Sequence, residues 1–353
     1  MQYTYLGNTG LKVSRLALGT MTFGGDSGAA GWQMSEASSF QLLDAFVAAG
    51  GNFIDTADIY SKGESERIIG RWLSAHPEKR RGLVIATKCR FPVDAATAGP
   101  NDVGLSRAHI FRAIADSLTR LGLTSVDLFQ CHSWDAGTPI EETLRALNDI
   151  VVKGLATYVG WSNVTGAQLQ KIVCESKRLG LPVPASLQQQ YSLLCRETEW
   201  DVLDVARDEG VALLPWSPLK GGWLSGKMTR QAAPVDSRAA WADASGAVLQ
   251  SHPSFAKYKE DERVWRLLEG LKELALELNA TVPQVAIAWL LAQPGVTSVI
   301  VGAKNLTQLE DNLGALTVKL SPLHIATLET LSAIPIPYPF EMVKRVNAGR
   351  KRI

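Results

Sequence analysis

Short apolar runs alternate along the chain with longer segments whose apolar residues recur at helical spacing. The runs at 15–19, 52–56, 83–88, 126–132, 156–161, 185–191, 211–217 and 297–302 read as strands buried on both faces. Segments 35–49, 64–75, 106–121, 139–152, 165–179, 199–209, 261–279, 283–291 and 306–316 read as helices. The first of these carries Phe40, Leu43, Phe46 and Val47 on one side. Ser106 is an N-cap in kind and position. Pro139 opens its helix, with Glu141 and Glu142 at the positive end of the dipole. Ahead of the alternation, 3–6 and 12–15 pair as a hairpin around Gly7-Asn8-Thr9-Gly10.

Eight strand–helix units in series imply an α/β architecture. Parallel strands need crossovers, and right-handed crossovers close the sheet into a ring. The predicted fold is a (β/α)8 TIM barrel with an N-terminal β-hairpin and long loops at its C-terminal face. Residues 1–353 form one unit in this reading, because no linker divides them and no repeat of 20–50 residues appears. Stretch 219–259 is irregular, and the tail 335–353 reads as a lid or as partly disordered chain.

Composition changes this picture little. The chain has 353 residues, 46% hydrophobic and 20% charged, which is enough for one large core. A net charge of +1 gives no electrostatic case for nucleic acid or a membrane surface. The five basic side chains of 344–353 read as a solvated tail. Cys89, Cys131, Cys174 and Cys195 form no CxxC and no zinc spacing, so no metal is expected. Strand alternation turns Cys89 and Cys131 toward the helices. Free thiols, no signal segment and no apolar run of membrane-span length make a cytoplasmic location the expectation. Oligomeric state is not legible.

The chemistry collects where strands end. FIDTADIY (53–60), VIATKC (84–89) and DLFQCH (127–132) place Asp55, Tyr60, Lys88 and His132 at or just past the ends of the second, third and fourth strands. That is the face on which barrels of this kind build their sites. Taken singly, each reads more readily as structural than as catalytic: Asp55 as a helix cap, Lys88 as a solvated lysine and His132 as a core histidine. Together they make a proton-donating site for a carbonyl. A tyrosine with an ordinary pKa of about 10 is a weak acid at neutral pH. A cation beside it lowers that value by about 1–3 units. Lys88 is that cation, Asp55 keeps it charged and aimed, and His132 donates to the carbonyl oxygen.

This set resembles the aldo-keto reductase superfamily, including the spacing of its D-T-A-x-x-Y turn, over almost the whole chain. The resemblance implies reversible reduction of an aldehyde or ketone with NADP(H), with a small-molecule carbonyl or alcohol as partner. It implies proton donation by Tyr60, tuned by Lys88 and Asp55, with His132 orienting the carbonyl. There is no GxGxxG after a strand, so a Rossmann site is absent. By resemblance the cofactor lies across the barrel mouth instead, with Gly19, Thr20, Met21 and Asp55 among the residues that bind it. Ser162, Asn163 and Gln188 would hold the carboxamide, and Trp216 would stack on the ring. Ser217, Pro218, Leu219, Gly221, Leu224, Gly226 and Lys227 would surround the pyrophosphate. Gly302, Lys304, Gln308, Asp311 and Asn312 would hold the adenosine end, and Lys304 favours the 2′-phosphate of NADP. Phe23, Trp32, Trp134 and Trp223 would rim the substrate pocket.

Three other readings compete. Gly221 to Lys227 reads G-x-x-x-x-G-K, nearly a P-loop, but Met228 stands where a magnesium-binding hydroxyl belongs. Glycoside hydrolysis needs two facing carboxylates, and the sixth strand ends instead in Gln188, Gln189 and Gln190. The potassium-channel β subunits are also similar, sharing the W-S-P-L of the cofactor loop. That similarity implies a cofactor-binding regulatory subunit as the alternative.

Overall fold

The computed structural model describes residues 1–25, 33–235, 237–244 and 254–350. An antiparallel hairpin, β1 (Tyr3–Tyr5) and β2 (Lys12–Ser14), precedes eight parallel strands. These are β3 (Leu16–Gly19), β4 (Phe53–Asp55), β5 (Val84–Cys89), β6 (Val126–Cys131), β7 (Ala156–Ser162), β8 (Ser186–Gln190), β9 (Ala212–Trp216) and β10 (Val299–Val301). They are hydrogen-bonded in the order β10-β3-β4-β5-β6-β7-β8-β9. Leu213 bridges in parallel to Val296, and its carbonyl accepts from the Thr297 amide at 2.9 Å, so the two edges nearly meet. The fold is a (β/α)8 barrel.

Helices α1 (Glu36–Ala48), α2 (Glu64–Ala75), α3 (Arg107–Leu121), α4 (Ile140–Val152), α5 (Gly166–Leu179) and α6 (Val202–Asp208) alternate with the strands. Between β9 and β10 come α7 (Arg238–Ala244), α8 (Phe255–Tyr258), α9 (Glu262–Glu277) and α10 (Val282–Ala292). Helices α11 (Leu306–Gly314), α12 (Pro322–Leu331) and α13 (Phe340–Val346) follow β10. Ser106 caps α3 as expected, accepting from the His109 amide. Segment 199–209 is shorter than predicted, because a 3-10 turn over Glu197–Glu199 precedes α6. The stretch expected to be irregular holds α7, α8 and a 3-10 turn over Lys220–Ser225. Part of the tail is helical, and Phe340 of α13 stacks on Trp200 at 6.1 Å. Helix α12 was not anticipated: it lacks one marked apolar face, yet Ser321 and His324 form its capping box. Among the described residues no single helix is long and apolar enough to cross a membrane.

Two apolar clusters divide at the strands. Inside the barrel lie Ala17, Phe53, Val84, Ala86, Leu128, Ala212, Leu214 and Ile300, with Leu6 and Val13 of the hairpin region below them. Outside, the opposite strand faces pack against the helices, and Cys89 and Cys131 belong there. The pairing of Lys88 with Gln130 and of Cys89 with Cys131 fixes this division, since alternate residues face opposite ways. All four cysteines are free thiols. Burying one large apolar side chain in either cluster stabilises by about 1.5–3 kcal/mol.

One ion pair is set within the outer layer. Glu66 of α2 is fully buried and accepts from Arg120 Nε of α3 at 2.6 Å and from Thr87 Oγ1 of β5 at 2.5 Å. Removing one partner of such a pair leaves a buried charge uncompensated. Arg120→Met is predicted to destabilise the fold by about 3–5 kcal/mol. Urea unfolding measures this, and a loss below about 1 kcal/mol would contradict the ion pair's role.

Candidate active site

The apolar interior of the barrel stops one layer below its mouth. Above Val84 and Ala86 the inward positions of β5 continue to Lys88; above Leu128, β6 continues to Gln130; above Phe53, β4 continues to Asp55. Gln188 of β8 completes this polar layer. Lys88 is fully buried, and its Nζ donates to Asp55 Oδ2 at 2.6 Å, to the Thr56 carbonyl at 2.8 Å and to Tyr60 Oη at 3.3 Å. An ammonium has three hydrogens, and all three are placed. Asp55 Oδ1 accepts from Gln188 Nε2 at 2.8 Å and Gln130 Nε2 at 3.2 Å, so the carboxylate is satisfied on both oxygens.

Tyr60 reaches this layer through a sharp reversal. Ser61, Lys62 and Gly63 follow it with φ of 49°, 55° and 84°. Left-handed backbone is costly for the first two and natural only for glycine. At Gly63 a Cβ would also lie 2.7 Å from Arg120 Cδ. The turn folds the phenol back over the strand end, with Lys88 Nζ 5.0 Å from its ring centre. His132 meets Tyr60 edge-on at 5.9 Å and Phe91 at 5.1 Å. Its Nδ1 is buried and has no hydrogen-bond partner among the described residues.

Charges follow from this packing. Burial alone would lower the Lys88 pKa, but Asp55 and Tyr60 together raise it above the ordinary lysine value. Burial lowers His132 well below the usual imidazole range, and the charges of Lys88 and Arg90 push the same way, so the ring is neutral. Tyr60 departs from expectation. Burial raises its pKa, Lys88 lowers it, and Asp55 raises it again, with a net rise. The cation beside the phenol is present as predicted, but desolvation outweighs it, so Tyr60 keeps its proton firmly.

The remaining expected site residues fall into three groups. At the mouth, Asn163, with φ of 53°, donates to the His132 carbonyl at 2.9 Å and to Ser162 Oγ at 2.9 Å. Its Oδ1 accepts from Trp216 Nε1 at 3.1 Å, which fixes the indole's edge. Ser217, Pro218, Leu219, Gly221, Leu224 and Gly226 form a tight turn, with Ser217, Gly221 and Gly226 left-handed and Leu224 buried. Lys227 is exposed beyond it. Gly302 is exposed, Lys304 half-buried, and Asn312 donates to the Gly302 carbonyl at 3.1 Å. Gln308 spends its amide oxygen on the Lys304 amide at 2.9 Å. Gly19 and Thr20 are clamped at the ends of β3 and β4, Thr20 Oγ1 donating to the Asp55 carbonyl at 3.0 Å, with half-buried Met21 beside them.

Three expectations need correction. Asp311 accepts from Thr281 Oγ1 at 2.7 Å and Gln284 Nε2 at 2.9 Å, so it ties α11 to α10. Trp223 does not rim the mouth: it is fully buried against Phe255, Tyr258 and Trp265. Phe23 is likewise fully buried in the outer cluster. Trp134 stays half-buried, 6.1 Å from Trp161, and Trp32 lies outside the described residues. Side chains not singled out from sequence also enter. They are Gln130, Phe91 and Arg238, a cation of the long loop, with buried Lys220 near it. Burial lowers the pKa of each of these cations; for Lys220 the neighbouring Cys195 and Glu197 work against burial while Lys257 and Arg238 add to it, and the charge of Arg238 reaches Tyr60.

A proton-bearing phenol, a buried ammonium and a neutral imidazole at a barrel mouth suit a carbonyl group. The model of the Aldo/keto reductase family matches residues 15–333. The chain belongs to that family. A probable voltage-gated potassium channel subunit beta of Arabidopsis thaliana is 37% identical over 93% of this chain and 96% of its own length. An uncharacterised oxidoreductase of Bacillus subtilis is 37% identical over 91% of this chain and 92% of its own. The versiconal hemiacetal acetate reductase of Aspergillus parasiticus is 35% identical over 93% and 96%. Family membership and these relatives support an oxidoreductase acting on carbonyl compounds.

Asp58, between Asp55 and Tyr60, is fully buried, and neither carboxylate oxygen has a hydrogen-bond partner among the described residues. Burial and then Glu66 raise its pKa well above the carboxylate range. The folded state therefore binds this proton more tightly than the unfolded one. Stability from it is full below the unfolded value of about 3.9 and is lost as pH rises toward the folded value. Asp58→Asn should stabilise at pH 7 by about 1–3 kcal/mol, with a smaller gain at pH 5. Urea unfolding at the two pH values checks this; destabilisation at both would contradict it.

Proposed function

We propose that the protein is an NADP(H)-dependent reductase of aldehydes or ketones, working reversibly. The observation that carries this is the Tyr60–Lys88–Asp55 contact, with Lys88 bonded to both partners. Tyr60 holds the proton that the carbonyl oxygen receives. A raised pKa keeps it protonated until that oxygen becomes strongly basic, and Lys88 then stabilises the phenolate left behind. Neutral His132 donates one hydrogen bond to the oxygen and orients the carbonyl over the layer. Asp55, gripped by Gln130 and Gln188, keeps Lys88 charged and aimed.

When bound, the nicotinamide cofactor supplies the hydride. The residues present fit such a group. Lys220 is buried, and burial disfavours its charge although Cys195 and Glu197 partly offset the repulsion from Lys257 and Arg238; an anion such as a pyrophosphate would favour that charge further. The left-handed turn through Gly221 and Gly226 lets backbone approach closely there. Ser162, Asn163 and Gln188 offer amides and a hydroxyl near the reacting carbon, and Trp216 a flat face. Lys304 and the α11 N-terminus favour a phosphate on the adenosine ribose. A second reading, a cofactor-binding regulatory subunit, draws on the relative named as a potassium channel subunit. It would use the same cofactor site with slow turnover.

Two measurements test these assignments. Tyr60→Phe should lower NADPH-linked reduction of an aryl aldehyde by about 100-fold or more while NADPH still binds; near-normal turnover would remove Tyr60 as proton donor. Retained NADPH binding with no wild-type turnover would favour the regulatory reading. Lys304→Ala should weaken NADPH by about tenfold or more and NADH far less, by fluorescence titration. Equal losses would mean that Lys304 does not read the 2′-phosphate.

A further inference from the structure

Arg90 stands just past the end of β5, two residues after Lys88. Its guanidinium lies 5.0 Å from the Phe91 ring centre. Phe91 touches His132, and His132 touches Tyr60, so a row of side chains leads from the phenol outward to this cation. The charge of Arg90 is felt at His132. Among the described residues the guanidinium makes no hydrogen bond and no ion pair, and its Nε is buried. The acid within its field is Asp135, whose oxygens already accept from the Leu105 amide at 2.7 Å, Thr138 Oγ1 at 2.7 Å and the Gly137 amide at 3.0 Å.

A half-buried guanidinium presents a planar fork of donors that matches a carboxylate. Its buried Nε lacks an acceptor, which is unfavourable, while the two terminal nitrogens stay open to an incoming group. We infer that the carbonyl compound taken by this site carries a carboxylate, and that Arg90 binds it. Asp135 nearby opposes a second negative charge, which favours carboxylate over phosphate. The inference rests on the reductase reading for the carbonyl end only.

The test compares kcat/KM for 4-carboxybenzaldehyde and benzaldehyde in wild type, Arg90→Gln and Arg90→Lys. The carboxylate barely alters the electrophilicity of the carbonyl, so the ratio reports recognition. Wild type should prefer the acid by about 10- to 100-fold, chiefly through KM. Arg90→Gln should bring the ratio near one, and Arg90→Lys should restore only part of it, because the bidentate geometry is lost. A wild-type ratio near one, or a preference that survives in Arg90→Gln, would overturn the inference. If neither aldehyde is reduced, the reductase reading fails, and benzoate binding followed by tryptophan fluorescence decides the anion site alone. Binding lost in Arg90→Gln supports it; equal or no binding in both proteins overturns it.

Discussion

A fully buried ammonium is stable only where each of its hydrogens meets an acceptor and an opposite charge lies close. Lys88 meets both conditions through Asp55, the Thr56 carbonyl and Tyr60. Much else in the molecule follows from satisfying it. Asp55 must be held, so Gln130 and Gln188 reach across the barrel from β6 and β8. Tyr60 must turn back, so the chain adopts left-handed backbone at Ser61 and Lys62. The polar layer that results is fixed from four strands and the β4–α2 turn, and no single loop can shift it.

The same closure sets the electrostatics. Excluding water makes His132 neutral and raises the Tyr60 pKa against the pull of Lys88. A phenol that keeps its proton, next to a cation that stabilises its loss, fits donation to a nascent alkoxide better than a phenol already ionised. The long loop between β9 and β10 brings the charge of Arg238 to Tyr60 and buries Lys220 near Arg238. Positive charge crowded without water is suited to an anionic cofactor, and Arg90 adds a cation on the substrate side.

Much of this was legible in the sequence because barrels place chemistry where strands end. Asp55, Lys88 and His132 stand out as polar residues closing apolar runs, and Tyr60 by its spacing from Asp55. Gln130 was equally accessible: the alternation that turns Cys131 outward turns Gln130 inward beside Lys88. Phe91 and Arg238 were not, since segments with no regular period bring them to the site. Trp223 misled for a related reason. Its burial comes from Phe255, Tyr258 and Trp265, residues remote in sequence that arrive with α8 and α9. Nor does the residue list give the sign of the Tyr60 shift, which turns on how completely the phenol is desolvated.

Lys88 is expected to act on the Tyr60 proton. The most direct measurement is the pH dependence of kcat/KM for carbonyl reduction in wild type and Lys88→Met, each shown by circular dichroism to be folded. A loss of about 100-fold or more is expected in the variant, with the basic limb of the profile moved to higher pH because the lowering field is gone. A rate within a few-fold of wild type, with the limb unmoved, would contradict it.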